Sequence, residues 1–328
     1  MDEQTGMIPF KMQSELKVMS DRVPTLFTPT ERSRDRFKDF FTSSIRNKNT
    51  RIAYYKAIAR FSDWCEAWTL TDIARIKPIH IATYIEQMLQ THSKPTVKQH
   101  LAAIRSLLDY LVVGQVMEFN PAHAVRGPKY SQTKGKTPIL SREEARALLN
   151  GIDTSTIIGM RDRALIAVMF YTFCRVSAAL SLTVGDYYIE ERRACLRLQE
   201  KGGKECVAPV NHKLDQYLHA YIKAADIEGD FTGPLFRTMD KAHKMLTRTP
   251  MLQSDAHRAI RKWAKVAGIP TPIGSHSCRG TGITDYLRNG GSLTVAAKLA
   301  NHSNVKTTQL YDRRNDDVQQ EEVEKIAI

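Results

Sequence analysis

The sequence predicts a mainly α-helical protein in two parts, with a small β-sheet in the second. Three observations support this fold class. Apolar residues recur every three or four positions through much of residues 31–127. A polar stretch containing glycine and proline follows. Beyond it, further helical patterns flank one stretch of apolar alternation that is typical of a β-hairpin.

The first part is predicted to be a helical bundle spanning residues 31–127. The polar residues 1–30 show no sustained period, and we expect them to be loosely ordered. Asn49 or Thr50 is placed to cap an amphipathic helix, and a later helix should begin near Pro95. The apolar faces are Ile52, Tyr55, Ile58, Phe61 and Cys65 in the former, Val97, Leu101, Ile104, Leu108 and Leu111 in the latter, and Ile81, Ile85 and Leu89 in a shorter helix between them.

A linker is predicted at residues 128–139, before a second domain at residues 140–314. The linker has no apolar period, and with the preceding Gly127 it holds two glycines, two prolines and three lysines. Ser141 and Glu144 then form the Ser-x-x-Glu pattern of a capping box, which predicts the first helix of the second domain. Residues 256–267 and 295–300 predict further helices.

The β-hairpin is predicted near the middle of the second domain. Its first strand carries the apolar alternation Ala194, Leu196 and Leu198, and Cys206-Val207-Ala208 forms the returning strand. The turn Lys201-Gly202-Gly203 joins them, so Lys201 should lie at the hairpin tip.

Both domains are basic. Of the 328 residues, 48 are Lys or Arg and 35 are Asp or Glu, which gives a net charge of +13. Residues 31–130 carry 16 basic and 9 acidic residues, and residues 141–314 carry 26 and 17. This distribution favours a nucleic-acid partner that both domains contact.

Residues 315–328 form a tail of the opposite sign. They contain five acidic residues and one lysine, so we expect this tail to lie off nucleic acid. Its apolar residues suit docking on a neighbouring copy of the chain, with packing on its own domain as the alternative; these residues are Val318, Val323, Ile326 and Ile328.

Cysteine usage and hydropathy predict a soluble intracellular protein. The five cysteines are odd in number and form no Cys-x-x-Cys pair, so they indicate reduced cytosolic thiols rather than disulfides or a zinc site. No basic-then-apolar leader follows Met1, and no apolar run approaches the roughly 18 residues of a membrane span. We therefore expect no membrane partner.

Cations in the second domain suit the chemistry of a phosphodiester. Attack on phosphorus builds negative charge on two non-bridging oxygens, and a pair of guanidiniums can hold that charge bidentately. Arg175 and Arg279 are the candidates for this role. A lysine at a hairpin tip can protonate the departing sugar oxygen, and Lys201 and Lys204, which flank the same turn, are both candidates for this role.

Tyr311 is the candidate nucleophile. A phenol has a pKa of about 10 and attacks poorly at neutral pH unless a neighbour takes its proton or a cationic site favours the phenolate. His276 and His302 are the candidates for that help. Because a tyrosyl phosphodiester conserves the energy of the broken bond, the reaction requires no ATP, metal or other cofactor.

The order and spacing of these residues resemble the tyrosine recombinases of the phage integrase family. The gap of 23 positions from Arg279 to His302 and the gap of 9 from His302 to Tyr311 are those that the family pattern expects. The matching segments are Thr172-Phe173-Cys174-Arg175-Val176-Ser177, Glu200-Lys201-Gly202-Gly203-Lys204-Glu205, His276-Ser277-Cys278-Arg279, and Leu299-Ala300-Asn301-His302 continuing to Leu310-Tyr311.

The resemblance implies a site-specific DNA recombinase with a helical core-binding (SAM-like) domain and a mixed α/β catalytic domain. Such an enzyme cleaves and rejoins strands through a 3′-phosphotyrosyl intermediate, as a homotetramer that joins two duplex DNA sites through a Holliday junction. We expect it to serve a mobile element in the bacterial cytosol, at the nucleoid, with accessory factors where its system uses them. The resemblance implies as catalytic residues Arg175, Lys201, His276, Arg279, His302 and Tyr311.

Two other functions fit the same residues, and two positions depart from the family pattern. The alternatives are relaxation of supercoils by a type IB topoisomerase-like reaction and DNA binding by a non-catalytic regulator. Ala178 stands where many relatives carry an acidic residue that supports the site, and Gly280 stands where many carry histidine. The target DNA sequence is encoded in no motif of the chain.

Overall fold

The structure is a computed structural model, and it describes residues 23–131, 135–200, 203–240, 242 and 245–312. The chain divides into two compact units, and the division falls between Ser131 and Gln132. Most of the predicted loose segment 1–30, and all of the acidic tail 315–328, lie outside the described residues.

The first unit is built from helices, as the sequence predicts. Phe61, Ile85 and Leu108 are among the side chains that these helices bury in a common core. The helix over Ile52 begins earlier than predicted, because the side chain of Asn47, rather than that of Asn49 or Thr50, accepts a hydrogen bond from the Thr50 amide at 3.1 Å. The described helices of this unit are α1 (Glu31–Asp39), α2 (Lys48–Ala67), α3 (Pro78–Thr91) and α4 (Lys94–Val113).

The second unit combines helices with two small antiparallel sheets. The described helices are α5 (Arg142–Asn150), α6 (Ile157–Thr172), α7 (Val176–Leu180), α8 (His212–Ala224), α9 (Gln253–Val266), α10 (Ser275–Arg288), α11 (Leu293–Leu299) and α12 (Val305–Gln309). The described strands are β1 (Tyr187–Glu190), β2 (Arg193–Glu200), β3 (Lys204–Pro209), β4 (Arg237–Met239) and β5 (Leu246–Pro250). The prediction of a mainly helical protein with a small β-sheet is confirmed.

The predicted capping box begins the first helix of this unit. The hydroxyl of Ser141 accepts from the amide of Glu144 at 3.1 Å, and the Glu144 carboxylate accepts from the amide of Ser141 at 2.9 Å. Two of the amides that a helix N-terminus leaves without intrahelical partners are thereby satisfied, which explains why α5 starts here.

The predicted β-hairpin is formed by β2 and β3. These strands pair antiparallel with Glu200 opposite Lys204, and the inward-facing Leu196 and Leu198 are buried. Gly203, at the end of the turn, has a φ of +74°, a conformation that glycine adopts without steric cost. Lys201 itself lies outside the described residues, so its placement at the tip stays a prediction. Strand β1 extends the sheet on the other side of β2, and the sequence had not predicted it.

Helix α6 forms the centre of the second unit. Every side chain from Ala164 to Phe170 is buried, which matches the unbroken apolar run of its sequence. Helix α10 packs closely on α6 at Gly282, where a Cβ atom would lie only 2.0 Å from the carbonyl oxygen of Phe170. Only glycine permits this approach, so Gly282 allows α10 to pack closely against α6.

None of the described helices is both long enough and apolar enough to cross a membrane.

Candidate active site

Arg175 lies just beyond the end of α6, in a turn set by an unusual backbone conformation. Helix α6 ends at Thr172, and its C-cap is Phe173, a buried residue in the left-handed region with φ 55° and ψ 19°. Such values are uncommon for any residue other than glycine and cluster at functional sites. The turn places Arg175 at the N-terminus of α7 and exposes the Phe173 carbonyl to a partner from another helix.

Arg279 is held by backbone carbonyls inside the protein. It lies on α10 one turn after His276, and only 2% of its surface is exposed. Its Nη1 donates to the carbonyl of Phe173 at 2.5 Å, and its Nη2 donates to the carbonyl of Ala300 at 2.5 Å. Hydrogen bonds to a buried charge offset part of the cost of removing it from water. The guanidinium is therefore fixed from the protein side before any substrate is present.

His302 is positioned by the C-terminal cap of α11. The amide of His302 donates to the carbonyl of Ala297 at 2.9 Å, and the amide of Asn301 donates to the carbonyl of Lys298 at 3.0 Å. This pair of bonds is a Schellman motif, in which the first residue after the cap adopts the left-handed conformation. Asn301 adopts it with a φ of 47°, as asparagine does more readily than most residues.

His302 in turn contacts Arg279. Its Nε2 lies 2.6 Å from Nη2 of Arg279, and its Nδ1 lies 2.8 Å from the hydroxyl of Thr308 on α12. The imidazole thus joins the phosphate-binding candidate on α10 to the helix that leads into Tyr311.

Tyr311 packs beside this histidine. The two rings are nearly parallel, at 7°, with their centroids 6.1 Å apart. Gly280 lies beneath the phenol ring, where a Cβ atom would be 3.1 Å and 3.2 Å from Cδ1 and Cε1 of Tyr311. The hydroxyl of Thr284, also on α10, donates to the carbonyl of Tyr311 at 2.7 Å. The candidate nucleophile is therefore tethered to the helix that carries Arg279.

Both histidines lie in a cationic environment. Desolvation lowers the pKa of His302 to about 4, and the positive charges of Arg279 and Arg175 contribute to the shift. The pKa of His276 is lowered as well, by desolvation first and then by the same two arginines. Both imidazoles are consequently neutral at pH 7, and Arg175 and Arg279 act on one shared site.

The structure brings together five of the six predicted site residues, namely Arg175, His276, Arg279, His302 and Tyr311. The sixth, Lys201, lies outside the described residues. The sequence predicts that Arg279 faces a phosphate; in the structure its guanidinium is buried and bound to two backbone carbonyls. Ala178, which departs from the family pattern, is buried in the core, and Arg279 is held by the carbonyls of Phe173 and Ala300.

Sequence reasoning missed Thr284 and Thr308, which hold the backbone of Tyr311 and the ring of His302. Their partners are 27 and 6 residues away, and threonines at such positions carry no pattern of their own. Within the described part of the chain, no three His, Cys, Asp or Glu side chains are placed to share a metal ion.

Comparison with known proteins decides the family. A model of the phage integrase family matches residues 138–317, and a model of the phage integrase N-terminal SAM-like domain matches residues 34–116. The chain belongs to the phage integrase family. Tyrosine recombinase XerD of Pseudomonas putida is 30% identical over 269 residues, which cover 80% of this chain and 86% of XerD. By this membership the chain is an enzyme, a tyrosine site-specific recombinase.

Solved structures of recombinases share its fold. A XerH site-specific recombinase bound to a palindromic difH substrate, in a post-cleavage complex, matches with a TM-score of 0.68 at 15% identity, covering 94% of this recombinase and 91% of XerH. A lambda integrase tetramer bound to a Holliday junction matches with a TM-score of 0.65 at 15% identity, covering 87% of this chain and 79% of the integrase.

Proposed function

We propose that this recombinase cleaves and rejoins duplex DNA through a 3′-phosphotyrosyl bond to Tyr311. In this mechanism Arg175 and Arg279 hold the non-bridging oxygens of the scissile phosphate, and Lys201 protonates the departing sugar oxygen. His276, neutral and at the exposed start of α10, is the histidine available to accept the phenol proton. His302 is proposed to act at the same phosphate, beside Arg279.

One observation carries this proposal. The guanidinium of Arg279 is fixed by two carbonyls and by His302, and the ring of Tyr311 stacks on that same histidine. An anion site prepared in advance costs no reorganisation when charge develops in the transition state. The nucleophile is thereby held next to a preorganised site for the phosphate.

The test is a denaturing-gel assay for a covalent protein–DNA adduct. Native protein is incubated in EDTA with nicked fragments of the DNA that flanks the gene, beside the variants Tyr311→Phe and Tyr286→Phe. Tyr286 is the matched control, because it lies on α10 and packs against Phe173 but is assigned no role in the reaction. We expect an adduct from native protein and Tyr286→Phe and none from Tyr311→Phe.

Other outcomes separate the alternatives. Tight DNA binding without any adduct would support a non-catalytic regulator. An adduct at many sequences, together with relaxation of supercoiled plasmid without site preference, would support topoisomerase-like activity. The helical first unit, which matches a domain of the phage integrases, favours recombination over both.

We also propose that four copies join two DNA sites, and that the acidic tail of one copy docks on the next. A tetramer on a Holliday junction is known for lambda integrase, which shares the fold. The second unit offers a groove of about 760 Å³ between α5 and α10, with Phe170 and Leu149 in its apolar lining. Arg146, Lys213 and Arg288 also line it, so its charge complements that of the tail.

We propose further that the recombinase serves a mobile element in the bacterial cytosol, at the nucleoid. The match to the phage integrase model supports the mobile element, and the bacterial relative supports the location. A search for a circular form of the flanking DNA tests the mobile-element proposal. We expect this circle in cells with the intact gene and not in cells with Tyr311→Phe. A circle that persists with Tyr311→Phe would contradict the proposal.

A further inference from the structure

Thr308 contacts both the ring of His302 and the backbone of Tyr311. Its side chain is fully buried, and its hydroxyl lies 2.8 Å from Nδ1 of the imidazole. It sits on α12 three residues before Tyr311, and its carbonyl accepts the amide of Tyr311 at 2.9 Å. The same residue therefore touches the histidine and the segment of the nucleophile.

The partners of His302 define where its proton is. Arginine has donors only, so Nε2, at 2.6 Å from Nη2 of Arg279, must present a lone pair. A neutral imidazole carries one proton, which is then on Nδ1. The Nδ1–H group donates to the Thr308 hydroxyl, which has lone pairs to accept it.

This tautomer matters to Arg279. Nη2 has two hydrogens, and the carbonyl of Ala300 takes one while Nε2 of His302 takes the other. The opposite tautomer would point an N–H at an N–H and would break the second bond. The orientation of the guanidinium thus depends on a proton at the far side of the imidazole ring.

We propose that Thr308 is a positioning residue that holds His302 in the Nδ1–H tautomer and thereby keeps the guanidinium of Arg279 oriented for the scissile phosphate. Thr308 touches neither substrate nor reacting atoms, and it acts through His302. A fixed orienting partner on the far nitrogen is how proteins commonly set the tautomer of a functional histidine. The inference rests on the proposed role of Arg279.

The first measurement is the ¹⁵N chemical shifts of the His302 ring in native, DNA-free protein at pH 7, assigned by their loss in His302→Gln. We expect a protonated Nδ1 and an unprotonated Nε2. A protonated Nε2 would overturn the proposal without recourse to any variant of Thr308. Because this measurement needs no DNA, it fails or succeeds independently of the adduct assay that tests the function.

The second measurement compares Thr308→Val, Thr308→Ser and Thr307→Val. Valine keeps the shape of threonine and removes the hydroxyl, serine keeps the hydroxyl, and Thr307 is the exposed neighbour on α12. In Thr308→Val we expect the ring signals to lose the single Nδ1–H pattern and adduct formation to slow by roughly 10- to 100-fold, the usual cost of removing such an orienting partner. Thr308→Ser and Thr307→Val should retain both the ring signals and most of the rate.

A purely structural role gives a different result. If Thr308→Ser is as impaired as Thr308→Val, or if Thr308→Val slows the reaction with unchanged ring signals, the hydroxyl does not act through the tautomer and the proposal is wrong. Native-like rate and signals in Thr308→Val would overturn it as well.

Discussion

At the scale of the residue, the site is organised around acceptors for one buried arginine. Arg279 donates to two carbonyls and contacts one imidazole nitrogen, and all three of these groups lie in turns that contain a left-handed residue, Phe173 or Asn301. The cost of the uncommon backbone at Phe173 is offset by a hydrogen bond to a charged donor, which is stronger than one between neutral groups. The residue with the uncommon backbone conformation, Phe173, is thus also the one whose carbonyl binds Arg279.

The pKa of His302 predicts how stability depends on pH. Its pKa is lowered to about 4 in the folded protein, against 6.5 for an unperturbed imidazole. Between these values the unfolded chain binds a proton at this position and the folded chain does not, so the free energy of unfolding falls as the pH falls from about 6.5 towards 4. Above pH 6.5 the contribution of this group is constant.

Urea unfolding of native protein and His302→Gln, measured at intervals from pH 7.5 to 4, checks this. Glutamine can still accept from Arg279 but does not titrate. We expect the native protein to lose more stability than the variant over this range. Parallel pH profiles would show that His302 does not have a depressed pKa.

At the scale of the element, local patterns predicted what local interactions determine. The sequence predicts the capping box of Ser141 and Glu144, the helix over Leu101 and the strand over Leu196, and the structure contains all three. Strand β1 was missed, because its four residues are held by pairing with β2 rather than by a pattern of their own. The helix at Asn47 was placed slightly late, since several neighbouring polar residues can cap and only the fold selects one.

The candidate site likewise has residues that the sequence predicts and residues that it does not. The reactive residue types and their spacing are visible in the sequence through resemblance to the family. The hydroxyls of Thr284 and Thr308 are not, because their roles exist only once α10, α11 and α12 are packed together. The burial of Arg279 was equally invisible, since nothing in its neighbours predicts which carbonyls will face it.

Two glycines of α10 are expected to separate activity from stability. In Gly280→Ala the new methyl group meets the Tyr311 ring at 3.1 Å, so the ring must shift by a few tenths of an ångström. We expect adduct formation to slow by roughly tenfold, because displacement of a reacting group by about 1 Å can cost 10²-fold. In Gly282→Ala the methyl group meets the Phe170 carbonyl oxygen, so we expect overpacking to destabilise the fold by about 1–3 kcal/mol.

The measurements are adduct formation and urea unfolding for both variants, with Gly229→Ala as the matched control. A Cβ atom at Gly229 would meet nothing within 4 Å, so this variant should match native protein in both assays. Unchanged cleavage by Gly280→Ala would mean that Tyr311 reacts from a position other than the one beside Gly280.

At the scale of the whole molecule, the sign of the charge differs between the C-terminal tail and the rest of the chain. The two units carry the basic surplus, and the last fourteen residues carry the reverse sign. Basic surfaces gain affinity for DNA by releasing condensed counterions, and an acidic segment opposes that gain wherever it lies near phosphate. The tail therefore suits contact between protein copies better than contact with DNA.

Deletion of residues 316–328 tests the docking proposal. We expect the truncated protein to form an adduct on a single nicked site but to lose most of its ability to pair two sites, measured as the joined complex on a native gel. Arg288→Glu should weaken pairing in the same way, because it reverses a charge in the proposed receiving groove.

The double variant supplies the control. Two changes to one contact are not additive, so Arg288→Glu should have little further effect once the tail is absent. Additive losses would place the tail elsewhere, and normal pairing by the truncated protein would contradict docking altogether.

The hydrogen bond from Thr284 to the carbonyl of Tyr311 bears on whether one copy of the chain can supply its tyrosine to the active site of another. It fastens the proposed nucleophile, Tyr311, to the helix that bears Arg279 of the same chain. If Tyr311 and the arginines act as proposed, we expect each copy to attack the phosphate that its own arginines hold. A copy that lacks Arg279 and a copy that lacks Tyr311 should then fail to restore each other's activity. In a mixed population of the two defective proteins, no member would be able to complement another.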